Sequence, residues 1–151
     1  MKKLLFALAA LLGATVLSTA QNKLNDSADS ILGEYIAIQN SDESKVRFTK
    51  NADGTFKCQI YWLRDDKDAS GKKYLDVKNP DKKLRTVPAD QVVLIDGLKY
   101  NAGKKCWDGA KIYDPQRGLK ANATASFTAD GRLRIRGSVM GIGETVYWTK
   151  L

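Results

Sequence analysis

The chain contains no histidine. That absence removes His-based triads, imidazole general bases and His metal ligands together. Cysteine is scarce: Cys58 and Cys106 are the only two, and they form no Cys-x-x-Cys motif. No Gly-rich phosphate loop frames Lys72-Lys73, no carboxylates stand at calcium-loop spacing, and no Ser nucleophile elbow occurs. Neither a cofactor nor a metal is therefore expected, and the chain is not expected to be an enzyme. After residue 17 there is no long hydrophobic run, so no transmembrane anchor is expected. The sequence also lacks internal repeats and low-complexity tracts.

The first twenty residues carry a pattern of their own. Lys2 and Lys3 give a positive start, residues 4–17 are apolar and uncharged, and Ser18-Thr19-Ala20 supplies small residues at a cleavage site. This is the order of a secretory signal peptide, with the cut expected after Ala20. The apolar run is shorter than the roughly 20 residues a spanning helix needs. No Cys near the cut could take a lipid. The expectation is a signal peptide over 1–20, a single domain over 21–151, and a periplasmic or secreted product.

Losing the two leader lysines from 25 basic residues leaves 23 against 17 acids, a net charge of +6. Such a balance suits acidic partners, anionic glycans or lipid headgroups among them. Export argues against nucleic acid. In an oxidising compartment Cys58 and Cys106 are a candidate disulfide, with two buried free thiols as the alternative.

Past residue 32 the hydrophobic period is two. Asn25-Asp26-Ser27 reads as a cap for a short helical turn over 28–32. Strands are predicted over 33–39, 45–50, 55–63, 91–100, 107–113, 119–128, 132–139 and 144–150. In the third, Phe56, Cys58, Ile60 and Trp62 share one face by strict alternation. Asn51-Ala52-Asp53-Gly54, Asp130-Gly131 and Gly141-Ile142-Gly143 are turn signals. In the sixth strand Leu119, Ala121, Ala123, Ala125 and Phe127 face one way, and the small row Ala121, Ala123 and Ala125 leaves room either for a close-packed neighbour or for a cavity. Arg132, Arg134 and Arg136 line an outer face. Residues 64–90 form a long polar connection, the kind of segment that becomes a binding loop or a lid. Eight short strands joined by turns predict an all-β, eight-stranded antiparallel barrel with a short N-terminal helical turn, because closure removes the exposed edges.

Several stretches in order resemble one known family: Asn79-Pro80-Asp81, Leu84-Arg85, Pro88, the run Trp107-Asp108-Gly109-Ala110-Lys111-Ile112-Tyr113-Asp114-Pro115 with Gly118, Leu133-x-Ile135-x-Gly137, and Trp148-Thr149-Lys150. Ile60-Tyr61-Trp62-Leu63 fits as well. Together they resemble the uncharacterised bacterial domain-of-unknown-function family 2147. That resemblance implies an exported, lipocalin-like barrel and covers residues 31–151. A looser similarity to lipocalins and other calycins lies in Gly33-Glu34-Tyr35, with Tyr35 in the place of the usual Trp and Lys150 as the basic residue that would pack on it.

The expected partner is a small molecule, apolar or anionic, held at the barrel mouth. Trp62, Trp107 and Tyr113 are the candidate aromatic contacts, with Asp81 and Arg85 from the long loop. Asn79, Pro80, Asp114, Pro115, Gly118, Trp148 and Lys150 are expected to be structural, as are Gly33 and Tyr35. Arg85 is a candidate to pin the loop by pairing with Asp81 or Asp114. Two alternatives accompany this reading. One is a filled barrel that binds an envelope protein or glycan through its long loop and basic face. The other is a glycan-acting hydrolase using Asp81 and Asp114.

Overall fold

Within the strands after Gly33, inward apolar and outward polar residues largely alternate, and a sheet with one dry face has to cover it; here it curls onto itself. The computed structural model describes residues 23–151, so the signal-peptide reading of 1–20 lies outside the described residues. Its strands are β1 (Gly33–Gln39), β2 (Asp42–Lys50), β3 (Phe56–Leu63), β4 (Val93–Asn101), β5 (Cys106–Asp114), β6 (Leu119–Phe127), β7 (Leu133–Val139) and β8 (Ile142–Lys150). Each pairs with the next, and β8 returns antiparallel to β1, which closes an eight-stranded antiparallel barrel. The closing seam is short, Tyr35 opposite Lys150 and Ile36 opposite Thr149. Asn40-Ser41 joins β1 to β2 and Met140-Gly141 joins β7 to β8, with φ of 50° and 72° and of 52° and 80°. Positive φ at both central residues is the two-residue turn whose twist suits a hairpin.

Up-and-down order sorts the connections between two ends. The N-terminal segment, the β2–β3, β4–β5 and β6–β7 turns and the C-terminus share one end. The β1–β2, β5–β6 and β7–β8 turns and the long β3–β4 connection share the other. The core is concentrated towards the first. Phe48, Phe56, Leu98, Trp107, Phe127 and Leu133 are all buried there. Tyr35 meets Phe48 edge-on at 5.7 Å, and Trp107 meets Phe127 the same way at 5.8 Å.

Two 3₁₀ turns, Leu24–Asp26 and Ala28–Ile31, lie across this end and shut it. Asn25 is buried and acts as a strand extension: its Oδ1 accepts from Phe127 N at 2.7 Å and its Nδ2 donates to Phe127 O at 3.0 Å. Tyr100 Oη donates to Asn25 O at 2.6 Å and Trp107 Nε1 to Ala28 O at 3.0 Å. Lys150 Nζ donates to Ser30 O at 2.8 Å and stands 5.6 Å from the centre of the Tyr35 ring. The Gly33-x-Tyr35 and Lys150 groups are thus adjacent. Gly33 has φ of +123°, and a Cβ there would come within 3.3 Å of Lys150 Cε.

The long connection is ordered rather than loose. Isolated bridges join Lys67 to Lys73 and Leu75 to Pro88, and a 3₁₀ turn covers Lys82–Leu84. It rests on the β5–β6 turn at Gly118, whose φ is +68° and where a Cβ would lie 2.4 Å from Lys78 O. Gly118→Ala therefore carries both a left-handed backbone, about 1–2 kcal/mol, and a collision with backbone that cannot swing aside. The expected result is a chain about 2 kcal/mol less stable in urea unfolding, with the 64–92 connection more open to proteolysis; wild-type values for both would remove this account of Gly118.

Cys58 and Cys106 are two free thiols, both buried, rather than a disulfide. The strand positions give the reason. Cys58 lies midway along β3 opposite Phe48 and Ile95, whereas Cys106 opens β5 opposite Asn101, with its Sγ directed 4.0 Å from Asp108 Oδ2. Burial raises both thiol pKa values, so neither is held as thiolate.

Candidate functional site: an apolar cavity at the open end

The second half of the barrel is not filled. A cavity of about 1050 Å³ opens between the β1–β2, β5–β6 and β7–β8 turns and the long connection. Its depth is lined by Ala37, Ile60, Leu94, Ile112, Ile135 and Trp148, with Ala121, Gly137 and Val146 beside them. The room comes from small residues at inward positions. Ala121 and Ile112 are paired across β5 and β6, and a Cβ on Gly137 would lie 3.3 Å from Ala121 Cβ and 3.2 Å from Ile112 Cγ2. Ser44 is the polar side chain in the upper wall, and its hydroxyl donates to Ala37 O at 3.3 Å. The apolar lining continues to the lip, where Ile38, Leu119, Val139 and Ile142 line the cavity and are also exposed.

The long loop supplies one side of the mouth. Asp76 is 4 % exposed. Its Oδ1 accepts from Tyr113 Oη at 2.7 Å and its Oδ2 from Asn79 Nδ2 at 2.7 Å. Asn79 in turn accepts Asp81 N on its side chain at 2.9 Å and Arg85 Nε on its carbonyl at 2.8 Å. Burial, and then the bond to Asp76, push the Tyr113 hydroxyl pKa well above its usual value, so it stays a donor. Asp81 Oδ1 accepts Lys83 N at 3.0 Å, and Asp114 Oδ1 accepts Gln116 N at 2.9 Å. Both carboxylates are thus occupied in fixing turns. Asp42, Gln116 and Lys78 tie the lips together: Gln116 Nε2 donates to Asp42 at 2.9 Å and Lys78 Nζ to Gln116 O at 2.7 Å.

Of the candidate contacts the structure puts Tyr113 in the cavity lining, with Asp114 and Pro115 on the turn beside it; Asn79, Asp81 and Arg85 are tied to Asp76 through Asn79 and lie outside the lining. It does not bring Trp62 or Trp107 into the lining either. Lys45 opposes Trp62 while Val46 opposes Ile60, so Tyr61 is an extra residue in β3. This β-bulge inverts the alternation. Trp62 turns outward, where Lys45 Nζ lies 4.9 Å from its ring, and Leu63 takes the inward place on the cavity wall. Trp107 is fully buried at the closed end against the 3₁₀ turns. Trp148, expected to be structural, is the tryptophan that lines the cavity. Arg85 pairs with neither Asp81 nor Asp114 among the described residues; its Nε is spent on Asn79 O. Asp76 is the site residue that sequence reasoning missed. The only signal was its position between Leu75 and Val77, an acid flanked by apolar residues inside a polar loop.

These features match a known family. The profile described as "Uncharacterized protein conserved in bacteria (DUF2147)" covers residues 33–150. The chain belongs to this family. Among solved structures it is similar to protein HP1028 from the human pathogen Helicobacter pylori, described as belonging to the lipocalin family. That similarity has a TM-score of 0.62 and 26% sequence identity, over 80% of this chain and 82% of that chain. No curated protein matches the sequence. The barrel of this DUF2147 member is therefore lipocalin-like in fold as well as in strand count. Among the described residues no helix is long and apolar enough to cross a membrane.

Proposed function

We propose that this DUF2147 protein is an exported, non-enzymatic barrel that binds a small, partly apolar molecule in the bacterial envelope. The observation that carries the reading is the cavity. Its volume of about 1050 Å³ is at the upper end of the range for small-molecule sites, and its walls are apolar with a few polar groups converging at the mouth. Burying apolar ligand surface there is worth about 25 cal/mol per Å² before ordering costs. Asp76 and Tyr113 in the lining supply the directional contacts, and Trp148 the aromatic one.

The lipocalin-like fold supports binding over catalysis, and so does the use of Asp81 and Asp114 as turn caps. The filled barrel that an interaction module calls for is not what the open half offers. Export rests on Lys2, Lys3 and the apolar residues that follow. The direct test is native mass spectrometry of protein purified from its own envelope. The expected result is a mass above that of residues 21–151 which disappears on denaturation with release of a small organic molecule. Repeated recovery of bare protein, with no uptake of an added apolar dye, would end the proposal.

A further inference from the structure

The cavity is graded from depth to rim, and the gradient specifies the ligand further than "apolar". Deep in the barrel the walls are aliphatic or aromatic, and above them Ser44 directs its hydroxyl to Ala37 O. A polar ligand atom placed in the depth would go unpaired, at a cost of about 1–3 kcal/mol. The ligand therefore enters tail first and leaves its polar head at the mouth.

The mouth has the opposite charge to the rest of the molecule. Asp42, Glu43, Asp65, Asp76, Asp114 and Glu144 line it, against Lys78, Arg117 and Lys120. Adding Arg64, which pairs with Glu43 from outside the lining, leaves six acids to four bases. Arg117 is shared between Asp114 at 3.5 Å and Glu144 at 3.1 Å. Arg85 is bonded only to the neutral Asn79 O and acts on Tyr113 with its charge intact, which brings the balance to six acids and five bases. The remaining anion of most consequence is Asp76, a buried carboxylate on the cavity wall whose partners are the neutral Tyr113 and Asn79. By contrast the described chain as a whole carries 23 basic and 17 acidic residues.

We infer that the cavity takes a single-tailed amphiphile whose head is cationic or a hydrogen-bond donor, such as a long-chain amine, and discriminates against carboxylate and phosphate heads. This inference rests on the binding function proposed above. It replaces the anionic partner suggested by the overall basic charge: an anionic head would meet the acids at the mouth, while the basic residues that set the net charge lie elsewhere on the surface.

The test is displacement of the neutral dye N-phenyl-1-naphthylamine by dodecylamine, dodecanol and dodecanoate, all below their micelle concentrations. A net excess of negative charge at the mouth predicts that the amine binds at least about threefold tighter than the carboxylate in dilute buffer. The ratio should shrink as salt is raised. A non-specific response to net charge would give the reverse order, because the protein is basic. Asp76→Asn and the exposed Glu144→Gln should each narrow the amine-to-carboxylate ratio at least about twofold, and Glu144→Gln keeps the test alive should Asp76→Asn not fold. Equal or tighter binding of dodecanoate overturns the head-group inference and leaves the binding function standing. Failure of the dye and of all three competitors to bind overturns both.

Discussion

Replacing Ala121 with Trp is expected to abolish ligand uptake while leaving the barrel folded. Ala121 points inward from β6 at the middle of the cavity wall, opposite Ile112 and against Gly137. An indole there projects into the open space of about 1050 Å³ that a ligand would use. In a filled core such an insertion costs about 1–3 kcal/mol in strain. Here the added ring replaces empty or watery volume, so the unfolding midpoint should stay within a few degrees of wild type. Affinity for N-phenyl-1-naphthylamine should fall at least about a hundredfold, equivalent to about 2.7 kcal/mol. Ala123→Trp is the matched contrast. Ala123 is two residues along the same face and buried in the wall beside Ala110, outside the cavity lining. That substitution should lower the melting temperature instead. Unchanged dye affinity in Ala121→Trp would place the ligand outside the barrel and remove the proposed site.

The different positions of Ala121, in the cavity lining, and Ala123, buried outside it, mark which parts of the molecule were legible in the sequence. Alternation in β6 identified every inward residue, because nothing interrupts it from Leu119 to Phe127. The same rule misplaced Trp62, because a single extra residue at Tyr61 inverts the faces and leaves no compositional mark. Strand count and closure followed from turn chemistry and edge avoidance, both local. The separation of a filled end from an open end did not, since it depends on which turns share an end and on where bulky residues fall relative to them. Phe48, Phe56, Trp107 and Phe127 cluster only once the strands are threaded up and down. For the same reason Trp107 and Tyr113, six positions apart in sequence, serve opposite ends of β5. The long connection was recognisable by its length, and its Asn79-Pro80-Asp81 turn by chemistry. The role of Asp76 depends on Tyr113, 37 residues away, which no local pattern connects to it.

Trp107 provides the sharpest test of the division between the two ends. Its ring is fully buried, packs on Tyr100 at 5.2 Å and Phe127 at 5.8 Å, and its Nε1 holds Ala28 O. Trp107→Ala removes this packing, leaves a void beneath the 3₁₀ turns and orphans a carbonyl, for a loss of about 3–5 kcal/mol. In a domain of this size that corresponds to a drop in melting temperature of roughly 10–20 °C. Asn25→Ala should lower it too, by about 2–3 kcal/mol, since both the N–H and the C=O of Phe127 lose their partner. Neither substitution touches the cavity, so dye affinity at a temperature where each variant is folded should stay within about twofold of wild type. Had Trp107 been a ligand contact at the mouth, the pattern would reverse, with affinity lost and stability nearly kept. Measuring both quantities on the one variant therefore distinguishes a plug from a binding residue, and a tenfold loss of affinity without a fall in melting temperature would overturn the assignment of Trp107 to the closed end.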